Sequence, residues 1–181
     1  MKKIIYYVAS SLDGFISGTN DDVSKFIYQG KGVERYLEDL KSFQTVIMGR
    51  KTYEFGYQFG VVPGQPSPTY AHMKHFIFSD SMKLDDKSDQ VEIKPISREE
   101  VVKIKNESPT DIYLCGGGQL AGWLLENGLI DQIKLKLNPI TLGEGVALFG
   151  QNKVSADWKL IESEKYDNGL LLLTYDLEKK E

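Results

Sequence analysis

The sequence predicts an α/β fold, a mainly parallel sheet with an antiparallel edge. Short β-branched and apolar runs alternate with helix-period segments through most of the chain. Several of those runs stop abruptly at turns rich in glycine, hydroxyls or cations. Near the end, Asp167-Asn168-Gly169 separates two strand-like runs, and Asn-Gly in that setting is the strongest short hairpin signal.

The elements follow in order. Ile4-Ile5-Tyr6-Tyr7-Val8-Ala9 reads as a buried first strand, and Asp13-Gly14 and Gly18–Asp22 punctuate a long loop after it. Val33, Tyr36, Leu37 and Leu40 recur at helical spacing and give a helix with one apolar face. Thr45–Met48 is a second strand, ended by Gly49-Arg50-Lys51-Thr52. Gly56 to Pro68 carries glycines and prolines and reads as a loop or flap. Phe76–Phe78 is a third strand, closed by Ser79-Asp80-Ser81, and Gln90–Pro95 suits a short edge strand stopped by its proline. Ser97, with Glu100 three residues on, is a capping box that opens a short helix. Asp111–Cys115 is a strand running into Gly116-Gly117-Gly118, and the helix that follows ends at Asn127-Gly128. Ile133–Leu137 alternates apolar residues with lysine, the pattern of a strand with one solvated face.

Composition narrows the function. The 181 residues suit one domain, 1–181, and carry 41% hydrophobic and 27% charged residues, a globular profile. The formal net charge of −4 argues against a general nucleic-acid or membrane-surface binder. The apolar run after Met1-Lys2-Lys3 is too short for a signal peptide, and no stretch reaches the about 18 apolar residues of a membrane helix, so a cytoplasmic protein is expected. Cys115 is the only cysteine, so neither a disulfide framework nor a cysteine-built zinc site is available. His72 and His75 alone make a poor metal centre, and no metal is expected.

In open α/β sheets, ligands bind beyond the carboxyl ends of the strands. Gly116, Gly117, Gly118, Gln119 and Leu120 form a glycine-rich turn into a helix, whose first N–H groups lack helical partners and favour an anion such as a pyrophosphate. Gly116, Gly118 and Ala121 also satisfy a Rossmann-type spacing, but the motif lies late in the chain and no acidic residue ends the next strand. A tight helix–strand junction without a ligand is the bland alternative. Arg50 and Lys51 stand at a helix start, where the helix dipole disfavours cations, an arrangement that makes sense if a phosphate joins them. Two solvated charges are the competing reading. Ser79 and Ser81 suit either a phosphate or a turn. Together these groups describe an elongated, multiply phosphorylated ligand, for which NADPH is the obvious candidate.

At these residues the chain resembles a known family. Val46–Tyr53 is similar to the cofactor motif of dihydrofolate reductases. Gly116–Leu120, then Leu124–Asp131 and Leu142–Phe149, resemble the C-terminal reductase domain of bifunctional riboflavin-biosynthesis enzymes, as does Ala9–Ile16. The resemblance implies a dihydrofolate-reductase-like three-layer fold, with a mixed, mostly parallel sheet of about eight strands flanked by helices and a C-terminal antiparallel hairpin. It implies NADPH as hydride donor, with Gly49, Arg50, Lys51 and Thr52 at the adenosine-side phosphates, Ser79 at the extra 2′-phosphate, and Gly116 to Leu120 cradling the pyrophosphate. Ser11, Asp13 and Gly14 would lie near nicotinamide and substrate, faced by Gly143, Glu144 and Gly145, and a homodimer is implied.

The substrate is less defined. Folate reductases place an acid on the helix after the first loop; Glu34 is the nearest equivalent, or simply a solvent-facing residue, and the folate-type Pro-Trp pair is absent. The segment from Phe55 to Tyr70 offers aromatics for a flat heterocycle but no obvious ribose-phosphate site. Asp13 is the candidate general acid or water-orienting group, or an Asp-Gly turn residue. The expected activity is that of a reductase in the style of 5-amino-6-(5-phosphoribosylamino)uracil reductase, taking a small heterocycle. The alternatives are dihydrofolate reductase activity and a catalytically inactive nucleotide-binding protein. The length suits the reductase domain without the zinc-dependent deaminase half, whose cysteine pair the sequence lacks.

Overall fold

Eight strands in one sheet position everything that follows. A computed structural model describes residues 1–178. In chain order its strands are β1 (Ile4–Ser10), β2 (Phe15–Ser17), β3 (Thr45–Gly49), β4 (Lys74–Phe78), β5 (Val91–Lys94), β6 (Ile112–Gly116), β7 (Gln132–Leu137), β8 (Val146–Ala147), β9 (Trp158–Lys165) and β10 (Leu171–Leu177). The helices are α1 (Lys31–Leu40), α2 (Arg50–Phe55), α3 (Arg98–Glu107) and α4 (Gly118–Glu126). The large sheet runs β5-β4-β3-β6-β1-β7-β10-β9, while β2 and β8 form a separate small ladder. Strands β5 through β7 are parallel in that order, and the terminal hairpin adds β10 and β9 antiparallel. This is a mixed, mostly parallel sheet, as the resemblance implies.

Alternation along the strands gives two cores. Ile4, Tyr6 and Val8 face α3 and α4, together with Ile112, Leu114, Leu120 and Leu124. Ile5 and Tyr7 face the other way, with Val46, Met48, Tyr113 and Leu40. The buried helix α4 reads as apolar nearly all round because it packs on both sheet and loop: a Cβ on Gly118 would stand 2.1 Å from the Ala147 carbonyl oxygen. The N-cap half of the box at α3 forms, the Ser97 hydroxyl accepting from the Glu100 N–H at 3.2 Å.

Three expectations change. The loop after β1 contains β2, whose two pairings with β8 are too few to leave a period in the sequence. The segment after α2 is not a free flap: the Tyr53 hydroxyl donates to the Gln65 carbonyl at 2.7 Å, and Val61 and Gly64 are buried. The lysine face of β7 is not solvated either, because α1 covers it. Lys134 pairs with Asp39 of α1 at 2.7 Å with both side chains mostly buried. Separately, His72 and His75 have different partners: His72 Nε2 lies 3.0 Å from the Phe43 carbonyl, whereas buried His75 accepts at Nε2 from the Ser67 N–H. Among the described residues no helix is long and apolar enough to cross a membrane.

Candidate functional site

Strands β4, β3, β6 and β1 are neighbours and parallel, so their carboxyl ends line one edge of the sheet in that order. Ser79, then Gly49–Thr52, then Gly116–Leu120, then Ser11–Gly14 therefore follow one another along that edge. Groups separated by up to 109 positions in the chain become a single line along that edge.

At its centre two helices begin side by side. Gly49 caps α2 and Gly117 caps α4, and neither start has a side-chain cap. The Thr52 hydroxyl reaches across between them, 3.1 Å from where a Cβ on Gly117 would stand. Free first-turn N–H groups of α4 and this hydroxyl are hydrogen-bond donors suited to phosphate oxygens. The three glycines serve different ends. Gly116 has φ +137, a backbone region that favours glycine, and Gly118 is required by its contact with Ala147. Gln119 is exposed, so the turn offers its backbone rather than its side chain.

Beside this centre, Arg50 is held rather than free. Its Nε donates to Glu54 at 2.8 Å and its Nη1 to the Ser81 hydroxyl at 3.1 Å. The Ser79 hydroxyl accepts from the N–H groups of Ser81 and Met82, which folds the turn so that Ser81 faces the guanidinium. Ser79 thus shapes the turn, while Ser81 is the hydroxyl at Arg50. Lys51 is exposed on the next position. Glu54, four residues after Arg50 on the same helix face, orients the fork and was legible only as a helical pair.

At the far end of the line, the two loops implied to face one another are joined. Asp13 accepts from the Ser11 hydroxyl at 2.5 Å, from the Gly143 N–H at 2.7 Å and from the Leu142 N–H at 3.1 Å. Behind it, the Leu148 N–H donates to the Gly14 carbonyl, and a Cβ on Gly145 would stand 2.0 Å from the Ser17 carbonyl oxygen. The Ser11 hydroxyl and these backbone N–H groups pull the Asp13 carboxyl down to about 2. A carboxylate so held has no proton to give near neutral pH. Its geometry is that of a latch between loops. Glu144 is exposed at the tip of the facing loop.

Glu34 is exposed on α1, whose inner face instead presents Gly32, Val33 and Tyr36 to the sheet. Under that face lie Tyr70, one of the aromatics offered for a flat heterocycle, and residues the sequence did not single out for chemistry. The Tyr36 and Tyr113 hydroxyls meet at 2.8 Å, the Tyr70 hydroxyl lies 3.5 Å from Cys115 Sγ, and Lys136 sits against the Tyr36 ring. A concavity of about 560 Å3 opens at the amino ends of the strands between Thr45, Lys74 and Ile104, away from these groups.

The model of the RibD C-terminal domain matches residues 2–172. This chain belongs to that family. The RibD C-terminal domain is the reductase domain of riboflavin biosynthesis, so its members are of an oxidoreductase kind. The chain is 29% identical to the uncharacterized protein YyaP of Bacillus subtilis (strain 168), the alignment covering 96% of this chain and 94% of that protein. Among solved structures, a putative riboflavin biosynthesis protein from Shewanella sp. PV-4 superposes with a TM-score of 0.81 at 23% identity, covering 99% of this chain and all of that one. Dihydrofolate reductase from Enterococcus faecalis, complexed with NADP(H) and RAB-propyl, superposes with a TM-score of 0.63 at 16% identity, covering 97% of this chain and 94% of that one. These structures establish a dihydrofolate-reductase-like fold for this member of the RibD C-terminal domain family.

Proposed function

We propose that this chain is an NADPH-dependent reductase of a small heterocyclic substrate, in the manner of 5-amino-6-(5-phosphoribosylamino)uracil reductase. The observation that carries the reading is the line of anion-binding groups along the strand ends, from Arg50 and Ser81 through Thr52 to the uncapped start of α4. NADPH fits these residues: Arg50 and Ser81 for the 2′-phosphate, with Ser79 shaping their turn, and Gly49, Lys51, Thr52 and the 116–120 turn for the remaining phosphates.

When bound, NADPH supplies the hydride, and the protein's work is placement and exclusion of water. Asp13 holds the 11–14 and 142–145 loops together, closing the end of the line where Ser11, Gly14, Gly143, Glu144 and Gly145 would meet the substrate. The exposed position of Glu34 weighs against folate as substrate. A second copy of the chain is proposed to pair along β9, the sheet's outer strand, where Leu160 and Ile161 are each about half exposed. Light scattering at micromolar concentration tests this, a monomer contradicting it.

The experiment for activity follows loss of reduced-nicotinamide absorbance with dihydrofolate, with the ribosylaminopyrimidine and with a panel of heterocyclic carbonyl and imine compounds. NADPH oxidation with any heterocycle other than dihydrofolate supports the reading. Binding of NADPH without turnover of any compound would favour an inactive nucleotide-binding protein.

A further inference from the structure

His75 is a buried titratable group that neither the strand-end turns nor the latch at Asp13 uses. It lies on β4, directly across from Val46 of β3 and Val91 of β5, with no exposed surface. Both ring nitrogens are taken. Nδ1 lies 2.9 Å from the Met73 carbonyl, which can only accept, so Nδ1 carries the ring proton. Nε2 is then a bare acceptor, and it takes the buried N–H of Ser67 at 3.1 Å. The two bonds fix one neutral tautomer and tie Ser67 to the sheet.

Ser67 leads into the short 3-10 helix Pro68–Tyr70, its carbonyl accepting from the Tyr70 N–H at 3.2 Å. The Tyr70 ring stacks on the imidazole with centroids 5.4 Å apart. The Tyr70 hydroxyl lies 3.5 Å from Cys115 Sγ, one residue before the glycine turn that opens α4. The imidazole thus holds a turn that borders the strand-end line.

A proton on Nε2 would remove the acceptor and set one N–H against another in a buried place. The groups around the ring give that proton no anion. From its own turn come Tyr70 and His72, and from β6 come Tyr113 and Cys115, both in contact with Tyr70. Val46 and Val91 are apolar, and Lys87, before β5, donates to the Val91 carbonyl at 3.3 Å. No carboxylate stands among them. Burial pushes the Tyr70, Tyr113 and Cys115 groups up, so they are neutral at neutral pH. Burial, with His72 nearby, outweighs the Met73 bond and holds the imidazole below its ordinary 6.5.

We infer that His75 is a proton-operated catch: its neutral ring holds the Ser67–Tyr70 turn on the sheet, and protonation in mild acid releases that turn. The inference goes beyond the reductase reading and holds whatever ligand the strand ends take. Once the turn opens, the ring takes its proton near the ordinary 6.5, which the closed form resists. The catch is therefore fully closed above about 6.5 and loosens as pH falls below it.

The test is nitrogen-15 NMR of the histidine rings in the whole protein, with amide exchange at Ser67 and Tyr70 referred to the intrinsic rate at each pH. At about pH 7.5 His75 is expected as the Nδ1–H tautomer. Below about 6.5, opening of the turn is expected to grow by up to about tenfold per pH unit until the folded ring itself titrates. His75→Gln, which can offer a carbonyl in place of Nε2 but takes no proton, should keep the turn closed down to about pH 5. His72→Gln should leave the response of the unaltered protein in place. An Nε2–H tautomer, pH-independent exchange in the unaltered protein, or the same acid response in His75→Gln would overturn the inference. Loss of the response in His72→Gln would also overturn it, by assigning the proton to His72. If His75→Gln fails to fold, the tautomer and the pH response of the unaltered protein still decide.

Discussion

The carboxylate of Asp13 and the backbone N–H of Gly143 meet at 2.7 Å, joining two loops 130 positions apart in the chain. The contact depends on charge. Its folded carboxyl lies near 2 against an ordinary 3.8, so the contribution to loop order is fully present above about 3.8 and is lost as pH falls through 2. Asp13→Asn should leave the thermal midpoint nearly unchanged while speeding amide exchange at Leu142 and Gly143. Any reductase pH profile should show no limb from Asp13 between about pH 5 and 9. Unchanged exchange in the variant would remove the latch.

Arg50 is oriented by Glu54 and Ser81 toward the outer end of the line. Arg50→Ala should weaken NADPH by about 10- to 100-fold, as expected for a charge-assisted contact, and barely change NADH. Calorimetry with both nucleotides checks this, and equal weakening would mean that Arg50 does not read the 2′-phosphate.

Gly118 and Gln119 are adjacent in sequence and separate in role. Gly118→Ala forces a Cβ against the Ala147 carbonyl at 2.1 Å and should destabilise the fold by about 3 kcal/mol. Gln119→Ala removes an exposed side chain but keeps the backbone N–H, so stability and NADPH affinity should both hold. Denaturant unfolding and nucleotide titration of the pair separate packing from binding.

Lys136 should cost stability at neutral pH. Its folded pKa near 8 lies below the ordinary 10.5, so between those values the unfolded chain holds the extra proton and stability rises with pH. Lys136→Met should therefore be more stable than the natural chain at about pH 7, by about 1 kcal/mol once the contact with the Tyr36 ring is discounted. The advantage should vanish above about pH 10. Unfolding curves across that range measure it.

These cases show what the sequence could and could not reveal. The line of strand-end turns was legible because turn chemistry is local: Gly49-Arg50-Lys51-Thr52 and Gly116-Gly117-Gly118 each end a strand, and parallel strands bring their ends to one edge. Ser81 was visible only as part of a turn, since its meeting with Arg50 depends on β3 and β4 lying side by side. Lys134 and Lys136 misled because alternation reports two faces of a strand and not what covers them. A helix placing Asp39 over Lys134 turned a solvated pattern into a buried one. The Tyr36–Tyr113 contact spans 77 positions and leaves no period to read.

The central claim is the NADPH site, and direct titration of the protein with NADPH and NADH by calorimetry tests it most directly. One NADPH is expected to bind per chain, at least about tenfold tighter than NADH. Absence of binding by either nucleotide would contradict it.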